Sequence, residues 1–111
     1  MTKEKRLMNE IRLWCGEHDL ICIRANVGKV RMKDGGWFDT GLPVGYPDLT
    51  IIGYGFIIYC ECKIKPNKPT KEQIAFLAEM NKRGHGTLIA YSLDDLIEYM
   101  KEENYEFRYN A

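Results

Sequence analysis

Three residues that can do chemistry lie at the ends of two short apolar segments of the chain. Asp48 opens the segment PDLTIIG, and Glu61 and Lys63 close the segment FIIYCECK. Carboxylates bind hard divalent cations such as Mg²⁺, which keeps several waters and also accepts phosphate oxygens. An amine beside them can orient a water molecule or stabilise charge that develops on a phosphate. These residue types predict metal-assisted hydrolysis of a phosphate ester, if the fold brings them together.

The distance between the two carboxylates depends on the hairpin that joins the segments. Both segments are short, apolar and rich in β-branched residues, which predicts two antiparallel strands. If the turn is centred on Tyr54 and Gly55, residues 53 and 56 pair and every cross-strand pair sums to 109, which places Asp48 opposite Glu61. Their Cβ atoms are then about 5 Å apart. A different turn shifts this register by one or two residues.

Opposed carboxylates destabilise a sheet, so this pairing needs a compensation. Either one carboxyl binds a proton or a cation lies between the two. Side chains alternate along a strand, so Lys63 shares a face with Glu61 and lies beside the same cation. The structural alternative is that Asp48 caps a turn while Glu61 and Lys63 form an exposed ion pair. The residues alone leave both interpretations open.

A third carboxylate is predicted on the first helix. Apolar residues at positions 7, 8, 11, 14 and 15 form one stripe of an amphipathic helix from Lys3 to about His18. Glu4 falls in the middle of this stripe, whereas Glu10 lies on its flank. A buried acid is costly unless it is paired or linked to a metal, so Glu4 is a candidate to support the metal or its waters. Exposure by fraying of the helix end is the alternative.

A glutamine near the start of a later helix has two possible roles. Thr70 is a good N-cap and Gln73 follows three residues later, which predicts a capping box and a helix to about Arg83. The Gln73 side chain can serve that cap, or it can reach the site and hydrogen-bond a water molecule or Lys63. The two roles can coexist if the side chain alternates between them.

The elements that position these residues predict an α/β fold on a mixed sheet. The coarse order is helix, strand, hairpin, strand, strand, helix, strand, helix, and Asp34 and Gly35 mark the turn of the hairpin. The strand over residues 86–92 follows the helix that starts at 71, so it is expected to run parallel to the strand that ends at Lys63.

Length and composition predict one ordinary globular domain. The chain has 111 residues, which fits a single domain over 1–111, and 45% of them are hydrophobic while 29% are charged. No apolar run approaches the roughly 20 residues of a membrane span. The first residues lack the apolar core of a secretory signal. We therefore expect a cytoplasmic protein without a membrane partner.

The charge distribution leaves room for a nucleic-acid partner, although the formal net charge is zero. Residues 1–92 hold 14 Lys and Arg against 10 Asp and Glu, whereas residues 93–111 hold 2 against 6. Separated basic patches can still contact a phosphate backbone. The candidates for such contacts lie in the basic clusters at 24–33 and 63–71: Arg24, Lys29, Arg31, Lys33 and Lys65. Solvated loops are the alternative.

The four cysteines have no zinc-ligand spacing. They lie in apolar surroundings without a C-x-x-C pair, which favours reduced thiols in the core. A zinc site that draws on His18 or His85 is the less favoured alternative.

Taken together, these residues resemble a known family. A G-x-P-D motif, an apolar hairpin, an E-x-K motif and a helix that bears glutamine are similar to the PD-(D/E)xK nuclease superfamily, and more narrowly to the small stand-alone VRR-NUC domains of phages and bacteria. The resemblance runs from Glu4 to about Leu96, and RANVGKVRMKDGGWFDTGLPVGYPDL is especially close to the phage-type members. It implies a restriction-endonuclease-like fold, in which an α-β-β-β-α-β-α core with a mixed sheet flanked by helices carries an extra hairpin.

The resemblance also implies an activity and residue roles. It implies hydrolysis of DNA phosphodiester bonds with Mg²⁺ or Mn²⁺. Asp48 and Glu61 match the metal ligands of the family and Lys63 matches its catalytic lysine. Gln73 resembles the glutamine that the family carries on a helix near the site.

The first-helix acid and the assembly follow from the same resemblance. Glu4 matches the family's glutamate through the pattern E-x-x-L-x-x-x-I, and Glu10 is the fallback. Small members resemble archaeal Holliday-junction resolvases and pair as homodimers. This implies a homodimer that cleaves branched DNA selectively.

Two other functions compete with this one. The first is a nucleic-acid-binding module that kept the fold without catalysis, which predicts salt-sensitive binding but no metal-dependent turnover. The second is a small interaction or inhibitor protein whose acidic segment at 94–106 contacts a basic partner.

Overall fold

The computed structural model describes residues 1–25, 29–39 and 41–105, and of 29–31 and 37–39 it describes the backbone only. Within this part of the chain, no helix is long and apolar enough to span a bilayer. The elements are α1 (Lys3–Glu17), β1 (Ile21–Arg24), β2 (Lys29–Arg31), β3 (Trp37–Asp39), β4 (Leu49–Gly53), β5 (Phe56–Cys62), α2 (Lys71–Lys82), β6 (Gly86–Ala90) and α3 (Leu93–Glu102). This is the order that the sequence predicts.

The sheet is mixed, as expected. Its strand order is β1-β4-β5-β6, in which β5 and β6 run parallel and the other neighbours run antiparallel. Strands β2 and β3 form a separate two-stranded sheet, which is the predicted extra hairpin. The turn of that hairpin is closed by the Gly36 N–H, which donates to the Asp34 carboxylate at 2.8 Å.

The β4–β5 hairpin has the register on which the carboxylate pairing depends. Gly53 pairs with Phe56 and Leu49 pairs with Cys60, so the pairs sum to 109 and the turn is at residues 54 and 55. Gly55 has a φ of 85°, in the left-handed region that glycine adopts without steric cost. The predicted register is confirmed.

Helices α1 and α3 cover one face of the sheet. Buried residues of both helices join buried strand residues in one hydrophobic cluster, which includes Ile11, Ile51, Ile58, Leu96 and Met100 at 0% exposure. Helix α2 contacts the opposite face, where the Phe76 ring lies edge-on to Tyr59 at 5.8 Å. The site residues therefore project from a sheet that is packed on both faces.

The cysteines are core thiols, as the sequence favours. All four are free, and Cys15, Cys60 and Cys62 are fully buried. A hydrogen bond to Cys22, together with burial, raises the pKa of Cys15 above its usual range. Among the described residues, no group of three or more His, Cys, Asp or Glu side chains is placed to hold a metal.

Candidate active site

Two hydrogen bonds join Asp48 to Glu61 and Cys62 at the end of the hairpin. The Asp48 backbone N–H donates to Glu61 Oε1 at 3.1 Å. In return, the Cys62 backbone N–H donates to Asp48 Oδ2 at 3.0 Å. The hairpin thus continues beyond its last strand pair through side chain to backbone bonds, and the two carboxyl groups meet as the register predicts.

Glu61 is buried in a way that penalises its charge. The residue is 1% exposed. Burial, together with contact with the Asp48 carboxyl, raises the pKa of Glu61 from 4.5 to about 8, and the Asp48 N–H and Lys63 oppose this shift only in part. Its Oε2 atom is buried and has no hydrogen-bond partner among the described residues. The alternative of an ion pair between Glu61 and Lys63 is confirmed in its partners, at 3.9 Å, but is wrong in its exposure, because Glu61 is buried.

Lys63 lies next to this unsatisfied oxygen. Its Nζ atom is 3.9 Å from Glu61 Oε2, and its side chain is 15% exposed. The Lys63 backbone N–H donates to the Ala90 carbonyl on β6 at 3.0 Å, which fixes the end of β5 to its neighbour. An ammonium group at this position can move toward a bound phosphate or water without leaving the site.

The donor set fits a hard divalent cation. Mg²⁺ is commonly bound by one or two carboxylates and keeps the rest of its shell as water and phosphate oxygens. Asp48 and Glu61 supply two carboxyl groups that face each other, and Glu61 Oε2 accepts no hydrogen bond from any described residue, although Lys63 Nζ lies 3.9 Å away. These two residues would hold the ion.

A cleft opens beside Asp48 at the start of α1. It has a volume of about 750 Å³ and is lined by residues 2–5, Met8, Arg24, Ala25, Asp48, Ile64 and Asn67. Glu4 therefore lies in the same cleft as Asp48 and is partly buried. Glu10 is exposed and does not line it. The placement favours Glu4 over Glu10 as the third acid.

The loop that carries Asp48 is fixed by close packing against α2. Gly45 has a φ of 90°, and a Cβ atom there would lie 2.3 Å from the Glu72 carbonyl oxygen. The following Tyr46 hydroxyl is 2.9 Å from the Thr50 hydroxyl, and Pro47 is fully buried. Only glycine allows this approach, so the first residue of the GYPD motif sets the position of the last.

Gln73 serves as the predicted helix cap. Its Oε1 atom accepts the Thr70 N–H at 2.8 Å, and the Gln73 N–H donates to the Thr70 hydroxyl at 3.1 Å. The capping box is thus confirmed. Gln73 does not line the cleft beside Asp48, and its role in catalysis stays a prediction.

The candidates for phosphate contacts are spread over the surface. Arg24 is exposed and lines the cleft, which places it nearest to Asp48. Lys33 and Lys65 are also exposed, and Lys65 Nζ lies 5.5 Å from the centre of the Tyr91 ring. The side chains of Lys29 and Arg31 lie outside the described residues.

Four polar residues of the cleft were not predicted from the sequence. Thr2 is the N-cap of α1, Lys3 and Lys5 lie in its first turn, and Asn67 follows the end of β5. The sequence does contain an indication of the two lysines, because negative charge is favoured in the first turn of a helix and positive charge there is unfavourable. Asn67 had no such signal, because its position depends on how the loop after β5 packs.

The sheet, the hairpin and the convergent carboxylates define a class of protein, an α/β domain with a restriction-endonuclease-like architecture. The chain is similar to a solved structure described as "VRR_NUC domain", with a TM-score of 0.68 and 20% sequence identity over 95% of this chain and 100% of that chain. No family model matches the sequence, and no curated protein matches it. The similarity confirms the VRR-NUC fold that the sequence resemblance predicts. The roles of individual residues stay predictions.

Proposed function

We propose that this chain is a divalent-metal-dependent DNA endonuclease that hydrolyses phosphodiester bonds. The observation that supports the proposal is the pair of facing carboxyl groups, of which Glu61 is buried and Asp48 is partly buried. The Asp48 N–H donates to Glu61 Oε1 at 3.1 Å, Asp48 Oδ2 accepts the Cys62 N–H at 3.0 Å, and Glu61 Oε2 is buried without a hydrogen-bond partner in the described part of the chain. A binding module without catalysis has no reason to retain an arrangement that penalises the charge of Glu61.

Each residue of the site has a distinct role in the proposed reaction. Asp48 and Glu61 hold Mg²⁺ or Mn²⁺, which supplies Lewis-acid activation of the phosphate and of the attacking water. Lys63, beside Glu61 Oε2, orients the water or stabilises negative charge on the phosphate. Glu4 faces the same cleft and supports the waters of the site. Gln73 is assigned to hold its helix and, through a side-chain movement, to assist Lys63.

The substrate and assembly are proposed from the family resemblance and the fold. The chain acts on branched DNA, such as a four-way junction, as a homodimer that presents one site to each of two strands. Arg24, Lys33 and Lys65 are the exposed cations assigned to phosphate contacts. The proposed setting is the cytosol of a bacterium or of a phage-infected host.

The test is cleavage of a matched panel of synthetic DNA substrates. A four-way junction, a flap and a linear duplex of the same arm sequences are incubated with Mg²⁺, Mn²⁺ or EDTA. We expect metal-dependent cleavage with preference for the junction. Asp48→Asn and Lys63→Ala should each lower the rate at least about 100-fold, because they remove a metal ligand and the charge that assists the water.

Matched variants control for misfolding and for unspecific charge effects. Lys82→Gln and Glu102→Gln change exposed residues at the ends of α2 and α3 and should cut at the parent rate. If Asp48→Asn and Lys63→Ala, folded by circular dichroism, also cut at the parent rate, the assigned roles are wrong. A folded parent protein that binds DNA but cuts none of the substrates with either metal would instead support the non-catalytic binding module.

A further inference from the structure

The cleft beside Asp48 opens at the end of helix α1, not along one of its faces. Successive residues of a helix point about 100° apart, so residues 3, 4 and 5 together cover most of its circumference. All three line the same cleft, together with the N-cap residue Thr2. The cleft therefore reaches across the whole first turn, and Asp48 and Arg24 line it as well.

The cations of this cleft have no acidic partner. Lys3, Lys5 and Arg24 are exposed, and none of them forms an ion pair with any residue that the structure describes. Two carboxylates, Glu4 and Asp48, border the same cleft and are also not paired with these cations. The acids thus stay available for the metal, and the cations stay available for an anionic ligand.

The two lysines also lie where their positive charge lowers the stability of their own helix. The first turn of a helix carries the positive end of its dipole, so a lysine there is repelled. Lys3 and Lys5 occupy the first and third positions of α1. Lys3 and Lys5 lower the stability of the helix, and they line the same cleft as Asp48, a candidate metal ligand. This combination points to a function of the two lysines other than folding.

We infer that Lys3 and Lys5 bind backbone phosphates of the DNA next to the scissile phosphate, together with Arg24, which lines the same cleft. This inference rests on the proposed function, because it takes DNA as the substrate of the Asp48 site. Asn67 at the rim can donate hydrogen bonds to the same phosphates. The N-terminal turn of α1 is then both a support for the third acid and a clamp for the substrate.

The test measures the salt dependence of DNA binding. A fluorescein-labelled duplex and a four-way junction are titrated by anisotropy in EDTA, which prevents hydrolysis, at several potassium chloride concentrations. The double variant Lys3→Gln/Lys5→Gln is compared with the parent and with Lys82→Gln/Lys101→Gln, which removes two exposed lysines outside the cleft. The slope of log affinity against log salt should fall by about 2 in the cleft variant only, with an affinity about tenfold weaker.

A thermal melt of the same proteins separates binding from a structural role. The melting temperature of Lys3→Gln/Lys5→Gln should equal or exceed that of the parent, because repulsion at the helix end is relieved. If Lys3→Gln/Lys5→Gln has the same salt slope as the parent, and the parent cleaves DNA, this inference is overturned and the proposed function stays intact. If Lys82→Gln/Lys101→Gln loses as much slope and affinity as the cleft variant, the inference is overturned as well, because any exposed lysine then contributes equally to DNA binding. A parent that binds no DNA overturns both.

Discussion

The reciprocal bonds between Asp48 and its neighbours determine which substitutions are informative. Asp48 Oδ2 accepts the Cys62 N–H, and the Asp48 N–H donates to Glu61 Oε1. An asparagine at position 48 keeps an oxygen that can accept the first bond and a backbone that makes the second. It removes the negative charge without removing the geometry, so loss of activity in Asp48→Asn reports on the metal ligand and not on the hairpin.

The first-helix acid can be identified by a matched pair of variants. Glu4 lines the cleft with Asp48, whereas Glu10 is exposed and does not. We expect Glu4→Gln to slow junction cleavage at least about tenfold, because a group that orients waters of the site is lost. Glu10→Gln should cut at the parent rate. Cleavage assays of the two variants, side by side at saturating metal, measure the difference.

The opposite outcome would reassign the role. If Glu10→Gln is the slow variant and Glu4→Gln is not, the flank position of α1 carries the acid. If both variants cut as fast as the parent, neither Glu4 nor Glu10 of α1 takes part in catalysis, and Asp48 and Glu61 act without a third acid from this helix.

The elements show why part of the site could be predicted and part could not. The β4–β5 hairpin is local, so its turn at Tyr54 and Gly55 fixes the register and brings Asp48 to Glu61 by counting alone. The pairing of β1 with β4 joins residues far apart in the chain, and alternation within each strand does not specify a neighbour. The cleft depends on that pairing, because it lies between the start of α1 and the end of β1. Lys3, Lys5 and Asn67 were therefore missed as cleft residues.

The approach of the Asp48 loop to α2 is testable through its glycine. In Gly45→Ala, the new Cβ would lie 2.3 Å from the Glu72 carbonyl oxygen, and the φ of 90° is unfavourable for alanine. We expect a loss of about 3 kcal/mol or more in the free energy of unfolding, because strain and a backbone clash combine. Urea denaturation followed by circular dichroism measures it.

A second glycine of the same conformation provides the control. Gly55 has a φ of 85°, but a Cβ there meets nothing within 4 Å. Gly55→Ala should therefore cost only the conformational strain, about 1–2 kcal/mol. Equal losses in the two variants would show that the contact between Gly45 and α2 does not constrain the loop.

For the molecule as a whole, the candidate site lowers the stability of the fold, and the hydrophobic core offsets this loss. Glu61 lies between the fully buried Cys60 and Cys62 in β5, and its side chain, which points to the opposite face of the strand, belongs to a residue that is only 1% exposed. Burial and the Asp48 carboxyl raise the pKa of Glu61 to about 8, which means that the fold disfavours its ionised form. A protein selected for stability alone would place an apolar or amide side chain here.

This cost predicts how the stability of the metal-free protein depends on pH. The Glu61 carboxyl titrates at 4.5 in the reference state and at about 8 in the folded protein, so between these values the folded state holds one more proton than the unfolded chain. The free energy of unfolding should therefore fall as pH rises from about 5 to 8, by on the order of 3 kcal/mol from this group. Urea denaturation in EDTA across this range measures the slope.

Two variants and the addition of Mn²⁺ test whether Glu61 causes this dependence of stability on pH. Glu61→Gln should remove this fall and be more stable than the parent at pH 8, because the neutral amide has no charge to bury. Glu10→Gln, at an exposed carboxyl, should keep the parent's slope. Mn²⁺ should stabilise the parent more at pH 8 than at pH 5, since protons compete with the cation for Glu61 at the lower pH. A parent whose stability is flat across this range, or a Glu61→Gln variant with the parent's slope, would show that Glu61 carries its charge in the fold without penalty and has no need of a cation.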